Sequence, residues 1–96
     1  MLFAAVYKLR DASEESTKRS LQLFVNWQPP FEFTAHYAFA DGSGGIAIFE
    51  AESEAQVLEG TGPWWPFFDF NVGPVLPIEE AVAVEQRFIE WRDSIG

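Results

Sequence analysis

Trp64-Trp65-Pro66-Phe67-Phe68-Asp69-Phe70-Asn71-Val72-Gly73-Pro74-Val75 is the stretch whose reading decides the fold. It contains two of the chain's four tryptophans and three of its ten phenylalanines. From Phe67 to Val75 the side chains alternate, with Phe68, Phe70 and Val72 on one face and Asp69 and Asn71 on the other. A period of two with one apolar face predicts a strand. Gly60-Thr61-Gly62-Pro63 just before it is a break, because glycine and proline interrupt regular structure.

Working back from that break, Ser53 is placed to N-cap a short helix reaching about Glu59, with Glu54 in its first turn. The preceding segment, from Gly45 to Glu52, alternates Ala47, Phe49 and Ala51 against Ile46, Ile48 and Glu50. Asp41-Gly42-Ser43-Gly44-Gly45 supplies a hairpin turn, since its glycines can adopt positive φ. From Glu32 to Ala40, strict alternation puts Phe33, Ala35, Tyr37 and Phe39 on one face and Thr34, His36, Ala38 and Ala40 on the other.

Nearer the start, Leu2 to Leu9 is mostly apolar and predicts a central strand covered on both faces. Asp11 and Glu14 have capping-box spacing for a helix running to about Trp27. Glu14/Lys18 and Glu15/Arg19 are i,i+4 pairs on its exposed side, and Leu21, Phe24 and Val25 form its apolar stripe. Pro29-Pro30 stops it. After the opening stretch, Pro77 starts a last helix striped with Ala81, Val84, Phe88, Trp91 and Ile95 and widened by Val82 and Ile89. That stripe is a packing surface, for the helix's own domain or for a partner. The order is β-α-β-β-α-β plus a terminal helix: one α+β domain over residues 1–96, with the ferredoxin-like split βαβ and an antiparallel four-stranded sheet.

Composition narrows the function classes. With no cysteine and one histidine, thiolate catalysis and Cys- or multi-His-ligated metal sites are excluded within one chain, and no metal or cofactor is expected. The net charge is −9, and no Lys or Arg occurs from Ser20 to Gln86, where ten acids do. Nucleic acid needs clustered cations, so it is not an expected partner. Phosphorylated ligands are disfavoured for the same reason, and a neutral, apolar or cationic ligand fits better. The apolar start is too short for a signal-peptide core, and no run approaches the ~20 residues of a membrane span. A soluble, cytoplasmic protein follows as the expectation. Aromatics at 17% are rich for a small domain, which points to apolar surface shared within a homodimer.

The strand beginning at residue 2, the hairpin ending Ile48-Phe49-Glu50-Ala51-Glu52 and the closing Asp69-Phe70-Asn71-Val72-Gly73-Pro74-Val75 together resemble the DUF3303 family. That family is related to the dimeric α/β-barrel superfamily. The resemblance implies two ferredoxin-like sheets meeting face to face, with helices outside. The superfamily includes cofactor-free monooxygenases, isomerases and cyclases as well as regulatory ligand-binding domains, so fold alone does not choose among them. The family pattern has an acid where this chain has Asn71.

Several residues are candidates for a site, each with a bland alternative. His36 is the one side chain that ordinarily titrates near neutrality, and it could act as acid or base on an enolisable or phenolic substrate. Alternatively it is a half-buried histidine bonded across the sheet. Asp69 and Asn71, about 7 Å apart on one strand face, could bind polar ligand groups, with Asp69 as a second acid/base. Otherwise they form a solvated edge. Trp64 and Trp65 could wall a ligand pocket, and Tyr7 and Tyr37 could offer it a hydroxyl. Core or dimer packing is the simpler role for all four. Glu50 could pair with Asp69 as a carboxylate couple. No nucleophile elbow, phosphate loop or zinc motif is present. Three functions are compatible with this inventory. They are binding of a small, mostly apolar or neutral ligand, cofactor-independent isomerase, cyclase or monooxygenase chemistry through His36 and Asp69, and a non-catalytic interaction or regulatory module.

Overall fold

In a computed structural model, all 96 residues are described. The elements run β1 (Leu2–Leu9), α1 (Glu14–Val25), β2 (Glu32–Ala38), β3 (Gly44–Glu50), α2 (Glu54–Thr61), a 3-10 turn (Gly62–Trp64), β4 (Phe68–Pro74) and α3 (Ile78–Ile95). The four strands form one antiparallel sheet in the order β2-β3-β1-β4. This is the expected α+β arrangement with ferredoxin-like strand order. β1 and β3 are central, so their apolar residues have neighbours on both sides.

Side-chain rows across the sheet follow from its register. On the face covered by α1 and α2, Phe3 and Phe49, Ala5 and Ala47, and Tyr7 and Gly45 stand opposite one another. Tyr7 also pairs with Phe70, and Ala5 with Val72. Phe3, Ala5, Ala47, Phe49 and Ala51 form the buried core, with Phe31, Phe33 and Val57 packed against it. Phe49 is the most deeply buried, 1% exposed, and its ring stacks on Phe31 at 4.1 Å between centroids. Full burial of one such side chain is worth about 1.5–3 kcal/mol.

Strict alternation fails in β2. Phe33 pairs with Phe49, but the next partners are Ala35 with Ile48 and His36 with Ala47, so a β-bulge at Thr34 breaks the register. The extra residue inverts the alternation beyond it. Phe33, His36 and Ala38 therefore share the helix-covered face, whereas simple alternation put Phe33 opposite His36. Ala35 and Tyr37 face the other way, beside Ile48 and Ile46.

Helix starts and stops also differ in detail from the sequence expectation. Ser13, not Asp11, is the N-cap of α1 and accepts from the Ser16 backbone N–H at 3.2 Å. Asp11 instead holds Ser13, accepting from its N–H and hydroxyl at 2.9 Å each. Ser53 caps α2 as expected. α2 runs on through Gly60 and Thr61 instead of breaking there. Gly60 is buried, and a Cβ at this position would meet the Phe31 ring. Glycine here serves close approach, at a helix-propensity cost of about 1 kcal/mol. At the β2–β3 turn, Gly42 has φ +76°, and Asp41 accepts from the Ser43 N–H at 3.0 Å.

α3 stands apart from the rest. None of its residues is buried, and only Ala81 is even half-buried. The radius of gyration is 17.4 Å and the longest dimension 58 Å, against about 12–13 Å expected for the radius of a chain this size. The far face of the sheet carries no helix either. Its rows are Tyr37–Ile46–Val6–Asn71 and Ala35–Ile48–Ala4–Gly73, and Val6 is 40% exposed at the centre of the sheet.

Candidate functional site

Between the sheet and its two covering helices lies a cavity of about 350 Å³, within the usual range for small-molecule pockets. α1 contributes Phe24 to its wall, with Trp27 just beyond the helix, while Phe33, Phe68 and Phe70 come from the sheet and Trp64 from the 3-10 turn. Trp64 is 7% exposed and meets Trp27 edge-on at 5.1 Å. Phe24 lies 5.9 Å from Trp64. No Asp, Glu, Lys or Arg lines the cavity.

Its polar groups are few. Ser20 and Thr61 also line it, but their hydroxyls donate back to their own helices, to the carbonyls of Thr17 and Leu58. Neither hydroxyl proton is free for a ligand. Tyr7 and His36 line the cavity as a bonded pair, with the phenol oxygen and Nε2 2.6 Å apart. Tyr7 comes from central β1 and His36 from edge β2, with β3 between them. The phenol spans that strand because its partner across the ladder is Gly45, where a Cβ would collide with the Tyr7 hydroxyl and the Tyr37 carbonyl. His36 is braced by Phe33, whose ring stacks on the imidazole at 4.7 Å and 16°. Phe68 meets the Tyr7 ring edge-on at 5.0 Å.

Electrostatics keep this pair neutral. Burial raises the Tyr7 pKa above its usual 10.0 and lowers that of His36 below its usual 6.5. In each case desolvation disfavours the charged form. Near pH 7 the phenol thus keeps its proton and the imidazole lacks a second one. A phenol is the better donor and an imidazole nitrogen the better acceptor, so the Tyr7 O–H donates to Nε2 and the imidazole proton resides on Nδ1. Tyr7 oxygen lone pairs remain to accept from a ligand.

The other sequence candidates lie elsewhere. Asp69 is on the opposite sheet face, its side chain 71% exposed and ion-paired with Arg10 at 3.0 Å. Asn71 neighbours Val6 on that same face, and Tyr37 is 67% exposed there. The fold does not bring either Asp69 or Asn71 to His36. Trp65 is 49% exposed beyond the cavity wall. Glu50 lies 3.2 Å from the Met1 amino group. It pairs with Leu2, whereas Asp69 pairs with Lys8. Six residues of β1, about 20 Å, separate those positions, so the two carboxylates form no couple.

Of the eight site candidates, Tyr7, His36 and Trp64 meet at the cavity. Phe24, Trp27 and Phe33 complete its wall, and nothing in their local sequence sets them apart from core residues. The Tyr7–His36 pairing became visible only with the strand register and the bulge at Thr34.

No helix is long and apolar enough to cross a membrane. No curated protein matches the chain. A family model, described as a domain of unknown function, DUF3303, matches residues 1–89. With more than nine-tenths of its length matched, and with the split βαβ sheet in place, the chain belongs to the DUF3303 family.

Proposed function

We propose that the cavity beneath α1 binds a small, neutral, largely apolar molecule, held by aromatic walls and oriented by Tyr7 and His36. The carrying observation is a cavity of about 350 Å³ with no charged side chain in its lining and one neutral hydrogen-bonded pair. An ionic ligand entering it would lose hydration without gaining a counter-charge, whereas a flat apolar one gains burial against Phe24, Trp27 and Trp64. A homodimer, with the open sheet faces of two copies in contact, would cover the Ile46–Val6 row and leave the cavity outside that contact.

Proton transfer is a second reading, favoured by the 2.6 Å Tyr7–His36 contact. A ligand hydroxyl or enolisable C–H beside Tyr7 could pass a proton to the phenol oxygen as the phenol proton moves to Nε2. His36 then acts as base and Tyr7 as relay. On this geometry Asp69 is not the partner. Without turnover, the same cavity serves a ligand-sensing or regulatory module.

The binding reading is tested with N-phenyl-1-naphthylamine, an uncharged fluorescent probe, against its anionic relative 1-anilinonaphthalene-8-sulfonate. The expected result is saturable binding of the uncharged probe, weaker binding of the anion, and at least tenfold loss of probe affinity on Phe24→Asp in a folded variant. Equal binding of both probes, or unchanged affinity in Phe24→Asp, overturns it.

A further inference from the structure

The heptad spacing of α3 and the charges beside it point to a specific partner for this helix. Ala81, Val84, Phe88, Trp91 and Ile95 succeed one another at intervals of 3, 4, 3 and 4 residues. That is the a/d spacing of a two-helix seam, with Val82 and Ile89 beside it. The seam is bare: Phe88 is 47% and Trp91 64% exposed. A free-standing helix of this length is only marginally stable in water, so burying the seam gains both helix and contact energy.

We propose that α3 pairs with α3 of a second copy of this chain as an antiparallel two-helix coiled coil. The flanking charges select both partner and direction. In a parallel, in-register pair, g positions meet the following e positions of the partner. Glu80 would face Glu85, and Arg87 would face Arg92, so both contacts repel. Turned antiparallel, with Phe88 of one copy opposite Trp91 of the other, Val84 meets Ile95 and the seam closes in four layers. Glu85 then flanks Arg92 of the second copy, and two-fold symmetry repeats that attraction. Within one helix Glu85 and Arg92 are seven residues apart and do not meet. Arg92 is already held beside the seam, its guanidinium 5.4 Å from the Phe88 ring centroid. This contact is separate from the cavity and from any pairing of the open sheet faces.

The test is charge reversal on the full chain, followed by sedimentation equilibrium over a dilution series. Glu85→Arg turns two attractive contacts into two repulsive ones and should weaken self-association about tenfold. Arg92→Glu should do the same, and the double variant should restore wild-type association. Failure of the double variant to restore it, no effect of the single reversals, or a wild-type chain that stays monomeric overturns the proposal. So does stronger association of Glu85→Arg, the result a parallel pair predicts. Direction is read independently by oxidative cross-linking, which is clean because the chain has no native cysteine. Mixed Phe88→Cys and Trp91→Cys chains should cross-link to each other in preference to Phe88→Cys with itself, and the reverse preference overturns the antiparallel arrangement.

Discussion

The two faces of the sheet both carry apolar residues on their central strands but end in opposite states. On the helix-covered face, aromatic rings from β1, β2, β3 and β4 close against α1 and α2, and the space left over is the cavity holding Tyr7 and His36. On the open face, Val6, Ile46 and Ile48 form an aliphatic patch across the central strands, and no element of the same chain covers it. α3 could have supplied that layer but projects away. An apolar sheet face is ordinarily buried under a covering layer. Here the chain supplies that layer on one face only.

If the faces differ in this way, substitutions on them must fail differently. The largest effect falls on the covered face. Phe49→Ala empties the site of a 1%-exposed ring that stacks on Phe31, and should cost about 3–5 kcal/mol of stability in urea denaturation. A loss below about 1 kcal/mol would mean that this face is not the core.

Val6→Glu puts a charge in the middle of the open face, on a residue already 40% exposed. The fold should persist by circular dichroism while self-association weakens about a hundredfold, the cost of burying one uncompensated carboxylate in a contact. Unchanged association with an intact fold would remove the sheet-face dimer and leave the α3 pairing to stand or fall on Glu85 and Arg92.

The smallest effect concerns the neutral pair. His36 has a pKa below its unfolded 6.5, so as pH falls the unfolded chain takes up this proton before the folded one. Its contribution is complete above about pH 6.5 and is lost as pH drops from there through the folded pKa. Tyr7 has a raised pKa, so its contribution is complete below about pH 10 and is lost above it. Tyr7→Phe keeps the ring but removes the hydroxyl bonded to Nε2. It should cost about 1 kcal/mol and move the His36 titration, followed by NMR. A His36 titration that does not move on this substitution would show that the two groups are not coupled in solution.

Much of the fold was legible because its signals are local. The alternation from Phe68 to Val72 marked β4, Ser53 marked the start of α2, and Gly42 the tight turn before β3, each through a preference of a few neighbouring residues. The site was legible only in part. Tyr7, His36 and Trp64 stood out as side chains with chemistry to offer, but so did Asp69, Asn71, Tyr37 and Trp65, which lie outside the cavity. Composition marks a residue as capable, and the face it occupies depends on register.

The sequence by itself determined the order of elements, the absence of thiolate chemistry and the acidic middle of the chain. It also contained the heptad seam of α3, whose meaning depended on whether the helix lies on its own domain. Tertiary structure decided the rest. The bulge at Thr34 turned His36 toward the cavity, Gly45 let the Tyr7 phenol reach across β3, and α3 was left without a layer to cover. The division is physical: periodicity and capping act over a few residues, while the Tyr7–His36 contact joins groups 29 residues apart through pairings on both edges of one intervening strand. A one-residue slip in either pairing would have sent one of them to the opposite face.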